Sequence, residues 1–133
     1  MRILLFKCSK YLRFAIICFL ISSCAASHMI ETDLYFGTSK PDGGHVTDTE
    51  WNDFIDNHIS KVFSDGSTII DANGYWRDPV TGKLTNEKSH EVICLYKKSK
   101  ATSRKIDSLR IDYKNMFLQQ SVLRVDKKAN ATF

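Results

Sequence analysis

The chain has 133 residues, 43% hydrophobic and 26% charged, with a formal net charge of +4 from 19 basic and 15 acidic residues. Four of the basic residues (Arg2, Lys7, Lys10 and Arg13) precede Cys24 with no acid among them, so 19 − 4 = 15 remain against 15 acids and the rest of the chain is neutral. The alkaline pI is therefore no reason to expect a nucleic acid partner.

Phe14 to Ile21 follows as an apolar run of about 8 residues, FAIICFLI, far below the roughly 20 that span a bilayer as a helix. Basic segment, short apolar run and small residues in that order are the layout of a secretory signal peptide. Its end, Ile21-Ser22-Ser23-Cys24, resembles a bacterial lipobox. Residues 1–23 are thus expected to be a lipoprotein-type signal peptide, with Cys24 acylated and residues 24–30 a tether. The alternative is ordinary cleavage near Ala25, Ala26 and Ser27. Each buried methylene contributes about 0.8 kcal/mol, and stable anchoring takes more than one chain. Ala25, where an Asp is lacking, resembles the pattern sorted to the outer membrane. The expected location is the cell envelope, at the periplasmic face of the outer membrane in a two-membrane bacterium.

Of the four cysteines, Cys8 and Cys18 fall in the signal and Cys24 would carry lipid, which leaves Cys94 alone. A disulfide framework is excluded. Cys94 lies inside Val92-Ile93-Cys94-Leu95-Tyr96 and reads as a buried small hydrophobe.

One domain is expected over 31–133. Glu31 to Gly37 reads as a strand, and Pro41-Asp42-Gly43 as a turn in the loop that follows. Thr47-Asp48-Thr49-Glu50 is a capping box that opens a helix, in which Trp51, Phe54, Ile55, Ile59 and Val62 recur at helical spacing. Ser67 to Asp71 reads as a short strand, Ala72-Asn73-Gly74 as a bulge or turn, and Tyr75-Trp76-Arg77 as a continuation. Glu87 to Lys97 is the next strand. A second helix starts at Ser99 or Ser103 and runs to Phe117. Gln120 to Asp126 is the last strand.

The order β-α-β-β-α-β predicts an α+β, ferredoxin-like split arrangement: a four-stranded antiparallel sheet with two helices on one face. Glu31 to Asp78 carries 10 acids and 3 bases (−7), and Pro79 to Phe133 carries 5 acids and 12 bases (+7). The expected cause is structural, an acidic first helix lying beside a basic second one.

The segments TDLYFG (32–37), VTDTEWNDFIDN (46–57), DANGYWRD (71–78), Glu87-x-Ser89 and QQSVLRVD (119–126), with the terminal Phe133, resemble the bacterial domain-of-unknown-function family 3574. The resemblance covers nearly all of the chain after the tether. It implies a small secreted or lipid-anchored protein and supplies no reaction.

No metal motif or cofactor motif is present. His28, His45, His58 and His90 have no second ligand at i+2, i+3 or i+4. Strand alternation supplies the candidate site instead. If Leu34 and Phe36, and Leu123 and Val125, face the helices, then Asp33, Tyr35, Arg124 and Asp126 share the open sheet face. The first and last strands would be neighbours, with Asp71 and Trp76 joining from the second strand. Such a set would bind a small anionic ligand, or the face would be buried in a homodimer. The leading expectation is a non-enzymatic binding or interaction module on a lipid tether. The alternative is a small enzyme (isomerase, hydrolase or oxygenase type) with a pocket on the same face of a ferredoxin-like dimer. Lys97, Lys98, Lys100, Arg104 and Lys105 form a basic cluster that reads as a solvated helix start, so no nucleic acid is expected.

Overall fold

The computed structural model describes residues 29–132. The segment expected to be a signal peptide (1–23), residues 24–28 of the expected tether and Phe133 lie outside the described residues, while Met29 and Ile30, expected in the tether, already belong to the first strand. Four strands form one antiparallel sheet: β1 (Met29–Gly37), β2 (Thr68–Arg77), β3 (Leu84–Lys97) and β4 (Leu123–Ala129), in the order β2-β3-β1-β4. Helix α1 joins β1 to β2, and α2 (Lys100–Phe117) joins β3 to β4. This is the ferredoxin-like arrangement expected. No helix of the described residues is long and apolar enough to cross a membrane.

Helix α1 has three stretches: an α-helix Asp48–Phe54, a π-helix Ile55–Ile59 and a final α turn Ser60–Val62. The capping box forms as expected, with Glu50 N–H donating to Thr47 Oγ1 and Thr47 N–H to Glu50 Oε2. The π turn has a packing cause. Seven residues after Trp51, an unbroken α-helix would bring His58 to the core face. The wider turn instead places Ile59 there, buried, and leaves His58 stacked on Phe54 at the rim.

The core lies between the helices and one face of the sheet. Leu34 and Phe36 of β1 and Val92 and Cys94 of β3 meet Phe54, Ile59, Ile106, Leu109 and Tyr113. Phe36 is its centre, with ring centroids 4.7 Å from Tyr113, 5.5 Å from Trp51 and 5.8 Å from Phe54. Such tilted aromatic pairs add about 0.5–1.5 kcal/mol each beyond the area they bury. Cys94 is buried there as expected, and burial, with Asp33 nearby, pushes its thiol up to about 12.

Three expectations need correction. Strand β2 runs unbroken from Thr68 to Arg77, and Gly74 sits inside it paired with Glu87 rather than in a turn. Strand β4 starts at Leu123, because Leu118 to Ser121 form a loop after the left-handed cap at Leu118. The two charged halves do not meet through their helices: among the described residues the ion pair linking α1 to α2 is His58–Asp112, at 3.6 Å. The halves are joined instead across β1 and β4, where Lys127 reaches Glu31 at 3.3 Å and Asp33 at 2.6 Å.

Candidate functional site

Strand register decides which candidate residues share a face. Leu34 pairs with Arg124, so Arg124 lies on the helix side with Leu34. Leu123 and Val125 are therefore on the open face, the reverse of the expectation. The reason is that β4 is an edge strand whose helix-side apolar contact, Val122, precedes the strand and is buried.

Arg124 binds the second helix. Its guanidinium donates to Ser103 O and Asp107 Oδ1, at 3.2 and 3.0 Å, and to Asp126 Oδ1 at 3.0 Å. Asp126 in turn accepts from Thr32 Oγ1. Burial works against the charged form of Asp126, but these hydrogen bonds hold its carboxyl below the usual range. Asp71 is also on the helix side, 2.8 Å from His90 Nδ1, and His90 stacks on Trp51. Arg124, Asp126 and Asp71 thus lie on the other side of the sheet from Asp33 and Tyr35, and the Arg124 guanidinium is engaged by α2 and Asp126, although Arg124 lines one cavity with Tyr35 and Trp76.

Asp33, Tyr35 and Trp76 do lie on the open face. Asp33 is only 3% exposed; Oδ2 takes the Lys127 ammonium, and Oδ1 has no partner among the described residues. Tyr35 donates to Glu91 Oε1 at 2.8 Å, and that carboxylate raises the phenol's pKa.

A groove of about 770 Å³ opens at the Gly37 end of this face. The tip of the β2–β3 hairpin forms one side and the loop from Leu118 to Ser121 the other. Two strand glycines, Gly37 on β1 and Gly74 on β2, flank the column of Glu87 and Ser89 on β3. A methyl group at residue 37 would sit 2.5 Å from Glu87 Oε1. The missing side chain lets Glu87 fold across β1 and accept from Ser39 N–H at 2.9 Å. Glu87 lines the groove, and its Oε2 accepts no hydrogen bond from the described residues. Tyr113, fully buried, holds the same glycine from below by donating to Gly37 O at 2.8 Å. The walls are Tyr35, Trp76 (42% exposed) and Leu123, and Gln119 ties the loop to β1 by donating to Ser39 O at 2.7 Å.

The sequence reading missed Glu87 and both glycines as site residues. A glycine inside a strand was the available signal, since it marks close approach of another group. Among the described residues, no cluster of three or more His, Cys, Asp or Glu could hold a metal ion.

These features define a ferredoxin-like α+β domain with an aromatic-walled groove at one end of its open sheet face, lined by the acids Asp78 and Glu87 and by the bases Lys40, Lys83, Arg110 and Arg124. The chain belongs to the family described as "Protein of unknown function (DUF3574)", which matches residues 31–133. Among solved structures it is similar to a phage SAM lyase in complex with S-methyl-5'-thioadenosine: TM-score 0.63, 17% identity, covering 81% of this chain and 86% of that one. The same lyase in its apo state gives TM-score 0.58 and 16% identity over the same shares. CutA from Synechococcus elongatus gives TM-score 0.49 and 9% identity, over 77% and 78%. At these identities the likeness is one of fold. The comparison with curated proteins returns no match.

Proposed function

We propose that this protein is a small-molecule binding module held at a membrane surface by an acylated Cys24, with its ligand seated in the groove over Gly37 and Gly74. The observation that carries this reading is the Glu87 carboxylate, laid over Gly37 and fixed by Ser39 N–H beside a floor that Gly74 leaves bare. One carboxylate oxygen stays available, and aromatic rings stand on two sides. Concave sites with apolar walls and a few fixed polar groups are the usual form of a ligand pocket. The Glu87 carboxylate favours a planar or partly apolar compound bearing an N–H donor, and the bases Lys40, Lys83, Arg110 and Arg124 that also line the groove suit an anionic group elsewhere on it.

Nucleoside thioethers are the first compounds to test, because a protein of similar fold holds S-methyl-5'-thioadenosine. A true ligand raises the melting temperature with the logarithm of its excess. Glu87→Gln should abolish that rise, and Asp71→Ala, on the helix side and outside the groove lining, should keep it. Ligand binding that survives Glu87→Gln contradicts this site. A dimer that forms with rising concentration and excludes the ligand would place a second copy on the face instead.

A small enzyme using the same groove is the rival reading, and the Tyr35–Glu91 pair on its wall is the observation that favours it. It requires the bound compound to be consumed, which product analysis by mass spectrometry reads directly. The lipid anchor has a separate test. Fatty-acid labelling should mark the wild type and spare Cys24→Ser; equal labelling of both removes the anchor from this account.

A further inference from the structure

The sheet has two chemically different ends. At one lies the groove with Glu87. At the other, Met29, the first described residue, pairs with Lys97 of β3 and Ala129 of β4. From Lys97 the chain passes through Lys98 and the Ser99 cap into α2, which brings Lys100, Arg104 and Lys105 to the same end. Helix α1 runs back toward this end, and its Lys61 joins Arg104 and Lys105 along an interhelical groove of about 600 Å³ that His58 and Asp112 also line. Lys61, Lys97, Lys98, Lys100, Arg104 and Lys105 are all exposed, and none forms an ion pair among the described residues. Of the acids near that cluster in the chain, Asp107, two residues after Lys105, is taken by Arg110 and Arg124, Asp112 is held by His58, and Asp65 lies in the turn after α1. These six basic side chains thus have no ion-pair partner among the described residues, while Lys127 is taken by Glu31 and Asp33.

We propose that this basic end docks on a bilayer surface carrying anionic headgroups, so that the groove at the other end of the sheet faces away from the membrane. Two observations choose a bilayer as the occupant: the charge, and the place where the chain enters the domain. Only residues 25–28 separate Cys24 from Met29, a reach of about 17 Å when fully extended. A tether that short keeps the basic end within about two Debye lengths of the headgroups at physiological salt. The inference rests on the proposed anchor only for which surface is nearest; the anionic preference is tested without any acyl chain.

The test uses the chain from residue 24, which holds every described element and core residue, with Cys24→Ser. It is sedimented with vesicles of phosphatidylcholine alone and of phosphatidylcholine mixed with phosphatidylglycerol. Each basic side chain near an anionic surface multiplies partitioning by about fivefold. Binding to the mixed vesicles should therefore exceed binding to neutral ones by at least about tenfold and weaken with salt. Arg104→Glu with Lys105→Glu should remove most of it. Lys88→Glu with Lys114→Glu, equal in charge but nearer the groove end, should remove little. Melting curves show whether each variant folds, and Arg104→Gln with Lys105→Gln replaces the first pair if it does not. Equal binding to both vesicles, equal loss in the two double variants, or stronger binding to an oligonucleotide than to mixed vesicles each overturns the proposal. Failure of the groove ligands or of fatty-acid labelling leaves these readings unchanged.

Discussion

Glu87 lies across Gly37: its carboxylate accepts from Ser39 N–H at 2.9 Å, in space where a methyl group on residue 37 would come within 2.5 Å of Oε1. A local backbone feature of β1 thereby sets the position of an acid on β3 that lines the groove. The close atoms belong to the end of a flexible side chain, so the conflict can be relieved by swinging the carboxylate away.

Gly37→Ala should therefore fold and lose the groove's function. The expected outcome is a melting temperature near wild type, with ligand-induced stabilisation reduced as far as in Glu87→Gln. Thermal shift on the two variants checks it. A variant with full ligand response would mean that the position of Glu87 does not matter.

Arg124→Ala should show the opposite pattern. The guanidinium holds β4 to α2 through Ser103, Asp107 and Asp126. Hydrogen bonds to charged groups are worth about 1.5–3 kcal/mol, and the acids involved are half-exposed, so a loss of about 2 kcal/mol is expected. Urea unfolding measures it. Glu87 is untouched by the change, so a groove ligand should still raise the variant's melting temperature although Arg124 lines the groove's edge.

Glu50 makes one branch of the acid response readable. The hydrogen bond from Lys40, then those from Thr47, lower its carboxyl from 4.5 to about 2. A group whose pKa is depressed in the folded state stabilises above its unfolded value and loses that contribution as the pH falls through the folded one. The difference in melting temperature between wild type and Glu50→Gln should thus be greatest above pH 4.5 and shrink toward pH 2. A difference that stays constant over that window would show that Glu50 is not held by Lys40 and Thr47.

Leu118 caps α2 in the left-handed region, at φ 55°, with its side chain exposed. That conformation costs a residue other than glycine about 1–2 kcal/mol. Leu118→Gly should raise stability by up to about 1 kcal/mol, since glycine's extra freedom when unfolded offsets part of the gain. A fall in stability would mean that Leu118 packs on the groove loop more than its exposure indicates.

The sequence carried the element order, the Thr47–Glu50 capping box and the Phe36, Trp51 and Phe54 core, because these rest on local chemistry and on periodicity. It misplaced the site because alternation in β4 cannot say which face is inside. Leu123 and Val125 are the apolar set, yet on this edge strand they face outward, while Arg124 is satisfied by helix atoms more than a dozen residues away. Register against β1 settles the face, and register is a tertiary property. Gly37 and Gly74 were visible as letters, but their role depends on Glu87 lying between them in space.

The most direct test of the ligand reading is an amide and indole NMR titration of residues 24–133 with S-methyl-5'-thioadenosine, S-adenosylmethionine and simple aromatic amines. Shifts should concentrate at Gly37, Ser39, Gly74, Glu87 and the Trp76 indole, leave the buried Trp51 indole still, and vanish in Glu87→Gln. Shifts centred on Arg124, or on the interhelical groove instead, would contradict the account.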